Sequence, residues 1–192
     1  MKTTKKVKGF TLIELIVVIA IIGVLAAILV PTMLGYVRKS KISSANTAAS
    51  NVYKAINSAL TELDEEGIDV SGLLIVKYNG SAWSADDASS DLLEGNLGAN
   101  KKFDKKVENF FASISKIKSA KAQLDGGACV AIATAQDKTY TGTYPTGVVT
   151  NETYKSYSMT SSDVPDAALT AACEKAKWTK PTATGSEQQP KN

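Results

Sequence analysis

The sequence predicts an α+β chain: a long amino-terminal α-helix leaning on a small antiparallel β-sheet head, a lollipop in outline. Three observations predict it. Residues Phe10–Val30 are apolar except for the polar Thr11 and the single charge of Glu14. Small and apolar residues then recur at Ala45, Ala48, Ala49, Val52, Ala55, Ile56, Ala59, Leu60 and Leu63. Their i, i+3, i+4, i+7 spacing makes one stripe on a helix. Beyond them, apolar runs bounded by Asn79-Gly80 and Asp125-Gly126-Gly127 read as strands joined by turns.

As a helix, the 21-residue run Phe10–Val30 is about 31 Å long, the thickness of a bilayer's hydrocarbon core. The leader before it carries Lys2, Lys5, Lys6 and Lys8 and no acid. That places the leader in the cytoplasm and sends the carboxyl side outward. The whole chain has a formal charge of +3; without the leader's four lysines, 22 basic side chains become 18 against 19 acidic ones. The basicity therefore orients a membrane segment and is not a nucleic-acid footprint. Ala26 and Ala27 offer a rival, a cleavable secretory signal, but no small-x-small site with a polar mature start follows them.

Glu14 needs an account inside so apolar a helix. It can snorkel toward the headgroups one turn away. Alternatively it meets a cation at its own depth. A cut between Gly9 and Phe10 would create one, since the new α-amino group titrates near pH 8. In a bundle of such helices, Glu14 of one chain would neutralise Phe10 of the next and favour one stagger.

Lys8-Gly9-Phe10-Thr11-Leu12-Ile13-Glu14, with the apolar helix and Pro31, resembles the prepilin signal of the type IV pilin family, which includes pseudopilins. The resemblance covers about the first 60 residues. It implies a peptidase/methylase that cuts after Gly9 and methylates Phe10, and a homopolymer built through the helix. It also implies a separate assembly ATPase and an inner-membrane platform protein; this chain has no phosphate-binding loop of its own. Gly23 and Pro31 would bracket the part of the helix that loosens on packing. Glycine weakens a helix and proline removes a donor, although Gly23 also suits close helix packing.

The expected domains are a cleaved leader at 1–9, a membrane and filament-core helix at 10–31, an amphipathic helix with a globular head at 32–179, and a disordered tail at 180–192. Gly67 would end the long helix near residue 65, where Asp64-Glu65-Glu66 oppose the dipole and favour fraying. Expected next are a strand at 73–78, a returning strand at 81–84 and a short helix at 86–93. A second amphipathic helix follows at 101–118, then strands at 128–134, 138–144 and 154–159 and a helix at 166–177.

The absence of histidine excludes Ser-His and Cys-His nucleophile pairs. No cofactor or metal is expected: the acids Asp64, Glu65, Glu66, Asp69, Asp86, Asp87 and Asp91 lack EF-hand spacing. Cys129 and Cys173 are either an exported disulfide, worth about 4 kcal/mol on the chain-entropy view, or two buried thiols. Lys101, Lys102, Lys105, Lys106, Lys116, Lys118 and Lys121 form a solvated face or, repeated along a fibre, a surface for DNA. Trp83, Trp178, Tyr140, Tyr144, Tyr154 and Tyr157 pack the core or present a polysaccharide platform.

The expected function is a non-enzymatic pilus subunit for surface adhesion or motility, held in the cytoplasmic membrane before assembly and extracellular afterwards. A minor pseudopilin of a type II secretion or DNA-uptake machine is the alternative. A membrane-tethered protein that never polymerises is a third.

Overall fold

The computed structural model describes residues 9–86, 93 and 95–181. It contains one long helix, α1 (Leu12–Glu65), the strands β1 (Leu74–Tyr78) and β2 (Trp83–Ala85), and the helix α2 (Lys102–Phe110). The strands β3 (Ser119–Asp125), β4 (Ala128–Ala135) and β5 (Thr141–Tyr144) and the helix α3 (Asp166–Lys175) complete it. The chain divides into two compact units, Met1–Ser40 and Lys41–Asn192.

In the first unit, residues 9–37 are all exposed. The helix passes through Pro31 unbroken, and Thr32 Oγ1 donates to the Leu29 carbonyl at 2.8 Å beside it. An apolar helix exposed all round is not at rest in water; it calls for lipid or other helices.

In the second unit the strands form one antiparallel sheet, ordered β2-β1-β3-β4-β5. The expected stripe of α1, Ala48 to Leu63, is buried. It shares a core with Leu74, Val76 and Tyr78 of β1, Ala120, Ala122 and Leu124 of β3, Ile132 of β4, and Phe103 and Val107 of α2. On the other face, Ala131, Ala133 and Ala135 of β4 pack with Ala168, Leu169, Ala172 and Cys173 of α3. Two polar residues of α1 hold the sheet. Asn46 Oδ1 accepts the Thr143 N–H at 2.9 Å, and Asn57 Oδ1 accepts the Cys129 N–H at 3.0 Å.

The acidic end of α1 does not fray. Gly67, at φ +75°, donates to the Asp64 carbonyl, and Ile68 donates to that of Leu63, the paired bonds of a Schellman cap. Lys102 and Lys106 of α2 bridge to Glu62 and Glu66 at 2.7–2.8 Å. Hydrogen bonds from these two lysines hold the Glu66 carboxyl down to about 2, from its ordinary 4.5. A depressed carboxyl stabilises the fold above its unfolded range, and that share is lost as pH falls from about 4.5 toward 2. The melting temperature of Glu66→Gln is therefore expected below that of the parent at neutral pH. The gap should close on acidification and narrow in high salt, because the pair is exposed. A gap indifferent to pH would contradict this.

Four expectations are corrected. The helix expected at 101–118 stops at Phe110. Phe111 takes φ −142°, and a 3₁₀ turn at Ala112–Lys116 follows. The turn brings Ile114 and Ile117 to the core while the chain straightens for β3. Central β3 itself was not expected: Ser119-Ala-Lys-Ala-Gln-Leu-Asp has no β-branched residue. The returning strand is Trp83–Ala85, with Tyr78 opposite Trp83, so Asn79–Ala82 is a four-residue loop. Asn79 Oδ1 accepts from the Ser81 and Ala82 N–H groups within it. Residues 154–159 are turns, not a strand. Tyr154 stacks on Tyr140 and buries against Ile42 and Val149.

Among the other elements, β5 starts at Thr141, after Asp137 Oδ1 accepts from Thr139 and Tyr140 N–H in a turn. Helix α3 ends at Lys175. Gly126 and Gly127 both take positive φ, as a two-residue primed hairpin requires. The helix expected at 86–93 falls mainly on residues outside those described. So do the leader's lysines, Asp87, Asp91 and nearly all of the tail.

Candidate processing and assembly site

Gly9 and Phe10 precede the helix in non-helical backbone, and the Phe10 side chain is 89% exposed. A Cβ at Gly9 meets nothing within 4 Å. The Gly9–Phe10 peptide is therefore open to another protein, and nothing among the described residues requires glycine there.

Thr11 caps the helix. Its N–H donates to Glu14 Oε2 at 2.8 Å, its hydroxyl donates to the same oxygen at 2.7 Å, and Glu14 N–H donates to Thr11 Oγ1 at 3.3 Å. This is a capping box, Thr-x-x-Glu, which satisfies orphan donors of the first turn. The Thr-x-x-Glu pattern is legible in the sequence, and the structure adds this helix-end role to the headgroup and inter-chain roles expected of Glu14. Glu14 Oε1 has no partner among the described residues, so the carboxylate keeps one oxygen for a further donor.

Gly23 and Pro31 both lie within the continuous helix. A Cβ on Gly23 meets nothing within 4 Å, so no contact among the described residues accounts for glycine at that position.

Cys129 and Cys173 are both free and buried. The register of β3 against β4 shifts between Gln123 and Leu124: Leu124 faces Cys129, whereas Gln123 faces Ala131. Val130 is thus an extra residue, and this bulge turns Cys129 to the α1 face. Cys173 packs in the α3 cluster across the sheet. No disulfide joins them. Burial pushes the Cys173 thiol up to about 11 and that of Cys129 further still, so neither is a reactive thiolate at neutral pH.

The lysine cluster is partly spent within the fold. Lys102 and Lys106 pair with Glu62 and Glu66, while Lys121 is buried beside Asp86 and Asp166. Lys101, Lys105, Lys116 and Lys118 are exposed. The aromatics mostly pack: Trp83 is enclosed between Tyr78 and Phe103, Tyr144 meets Tyr53, and Trp178 Nε1 donates to Asp125 at 2.7 Å. Of the acids, Asp69 closes a turn onto Ser71 and Asp86 pairs with Lys77.

Residues 4–30 match the prokaryotic N-terminal methylation motif. The chain is 37% identical over 87 residues to the type IV major fimbrial protein FimA of Dichelobacter nodosus, covering 44% of this chain and 54% of that protein. It is 47% identical over 57 residues to the type IV major pilin protein PilA of Myxococcus xanthus, covering 30% and 26%. A fimbrial protein of Pseudomonas aeruginosa is 45% identical over 58 residues, covering 30% and 38%. The chain thus spans between about a quarter and about half of the length of these relatives. No solved structure is a significant match. The amino-terminal segment, with its methylation motif and apolar helix, is similar to that of type IV major fimbrial and pilin proteins.

Proposed function

We propose that this chain is the structural subunit of a type IV pilus, not an enzyme. It is exported as a prepilin, cut after Gly9, methylated on the Phe10 amine and polymerised through Phe10–Val30. A single observation carries the reading: the methylation motif at residues 4–30 runs into a helix whose apolar residues, as far as residue 37, are all exposed. Relatives named as fimbrial and pilin proteins support it. A peptidase/methylase, an assembly ATPase and a membrane platform protein are the partners this route requires. The subunit sits in the cytoplasmic membrane first and in an extracellular fibre afterwards.

The energetics divide by solvent. Between lipid and a helix bundle, apolar side chains gain little, since lipid tails are as apolar as leucine. Against water, each large apolar side chain hidden in the fibre contributes about 1.5–3 kcal/mol. A fibre so built resists dissolving into water yet can exchange with the membrane. Its register then rests on polar groups: the Phe10 amine of one subunit against Glu14 of its neighbour. Gly23 allows close approach of helices, and Pro31 with Gly23 bounds the stretch that can loosen.

Replacing Gly9 by Val tests the route. The fold does not need glycine there, so the variant is expected to reach the membrane at full length. It should remain uncut on immunoblots and give no surface fibre. Normal processing and fibre formation would overturn the reading.

A further inference from the structure

Between the β1–β2 hairpin and α2 lies a cavity of about 300 Å³. Among the described residues, its polar lining includes Tyr78, Ser81, Asn100, Asp104, Lys105 and Glu108. Asp104 builds it. One carboxylate oxygen accepts the Trp83 N–H at 2.8 Å and the other accepts the Gly98 N–H at 3.1 Å, tying hairpin and loop to the helix. Each Asp104 oxygen is thus already engaged by the fold.

Tyr78 is the unexplained group. It is only 5% exposed, and its hydroxyl makes no hydrogen bond with any described residue. The hydroxyl is not fully enclosed, and Tyr78 lines the cavity together with Asp104 and Glu108, whose charges act on its phenol. Burial, with the facing charges of Asp104 and Glu108, pushes its phenol up, so it stays a neutral donor at physiological pH. Glu108 is exposed and makes no ion pair or hydrogen bond among the described residues.

A ligand here meets a buried neutral donor, an unengaged carboxylate acceptor, and hydroxyl, amide and ammonium groups at the rim. Two carboxylates oppose an anion. Lys105 opposes a cation, and one available carboxylate is too little to offset a cation's dehydration. A neutral polyol uses donors and acceptors together, and charged acceptors give its strongest hydrogen bonds. The volume lies at the small end of ligand sites.

We propose that this cavity binds one neutral sugar ring of a glycan, with the Tyr78 hydroxyl donating to it and Glu108 accepting from it. Binding by a single chain does not depend on polymerisation. Only avidity rests on the pilus reading: a fibre would repeat a weak site many times.

The test uses the full chain in detergent micelles, so its failure leaves the fibre reading standing, and the reverse also holds. Saturation-transfer NMR is run with glucose, galactose, mannose and N-acetylglucosamine. Tetramethylammonium and N-acetylneuraminic acid serve as charged comparators. At least one neutral sugar is expected to bind with a Kd of roughly 1–10 mM. Tyr78→Phe and Glu108→Gln should each weaken it about tenfold, with circular dichroism unchanged. Glu108 is on the surface, so its variant decides the matter even if Tyr78→Phe misfolds. Absence of binding by every neutral sugar, preference for either charged probe, or indifference to Glu108→Gln would overturn the proposal.

Discussion

Glu14→Ala is expected to leave the chain inserted and processed at parental levels while fibre yield falls more than about tenfold. Leaving a charge unpaired in a low-dielectric interface costs about 3–5 kcal/mol, and that cost recurs at every subunit. The capping box adds a second loss, since Thr11 forfeits both its bonds to Glu14 Oε2, worth about 1 kcal/mol at such a cap. Glu14→Gln separates the two. Glutamine can occupy the third position of a capping box but cannot neutralise an amine. If Glu14→Gln forms fibres normally, the carboxylate's charge is not needed and Glu14 serves the helix end alone. If it fails as Glu14→Ala does, the charge pairing stands. Sheared surface fibres weighed against membrane-held subunit give the readout.

Gly142→Ala is expected to be the most damaging conservative change in the head. A Cβ there would sit 2.0 Å from the Ala45 carbonyl carbon and oxygen and 2.5 Å from the Asn46 nitrogen. All three are helix backbone and cannot swing aside. Strand β5 must lift from α1, and the Thr143 N–H loses Asn46 Oδ1. Overpacking and the stranded N–H together cost about 3 kcal/mol or more, a fall in melting temperature on the order of 10 °C. Gly126→Ala, at positive φ but with open space around it, should cost about 1 kcal/mol. Equal melting temperatures for the two variants would contradict the close approach of β5 to α1.

Where each residue's surroundings are local, the fold was legible. Val and Ile mark β1 and β4, Gly126-Gly127 marks the turn before β4, and the alanine stripe marks α1. Strand β3 was not legible, because alanine, lysine and glutamine prefer helices. What makes it a strand is its place between β1 and β4, where Lys121 is buried against Asp166 from α3. The end of α2 was hidden for a related reason. A 3₁₀ turn delivers Ile114 and Ile117 to the same core a longer helix would reach, so periodicity alone could not find the break.

Register and capping account for two further differences. The cysteines sit on opposite faces through one bulged residue, which no spacing rule reveals. The polarity of Asn46 and Asn57 suits water, yet their partners are strand N–H groups distant in sequence. The cavity at Tyr78 is assembled from a hairpin, a loop and a helix, so its lining is scattered over residues 78 to 115. At the amino terminus the reverse holds. Gly9, Phe10 and Glu14 lie within six residues, so the expected site is local in sequence, and the structure adds that Glu14 serves Thr11.

The central claim is that Phe10 becomes a chain terminus whose amine is used in a fibre. Mass spectrometry of the amino-terminal peptide from sheared surface filaments addresses it directly. The expected peptide begins at Phe10 and carries one methyl group on its α-nitrogen. Filaments that retain Met1, or surface fibres in which this chain is absent, would contradict it.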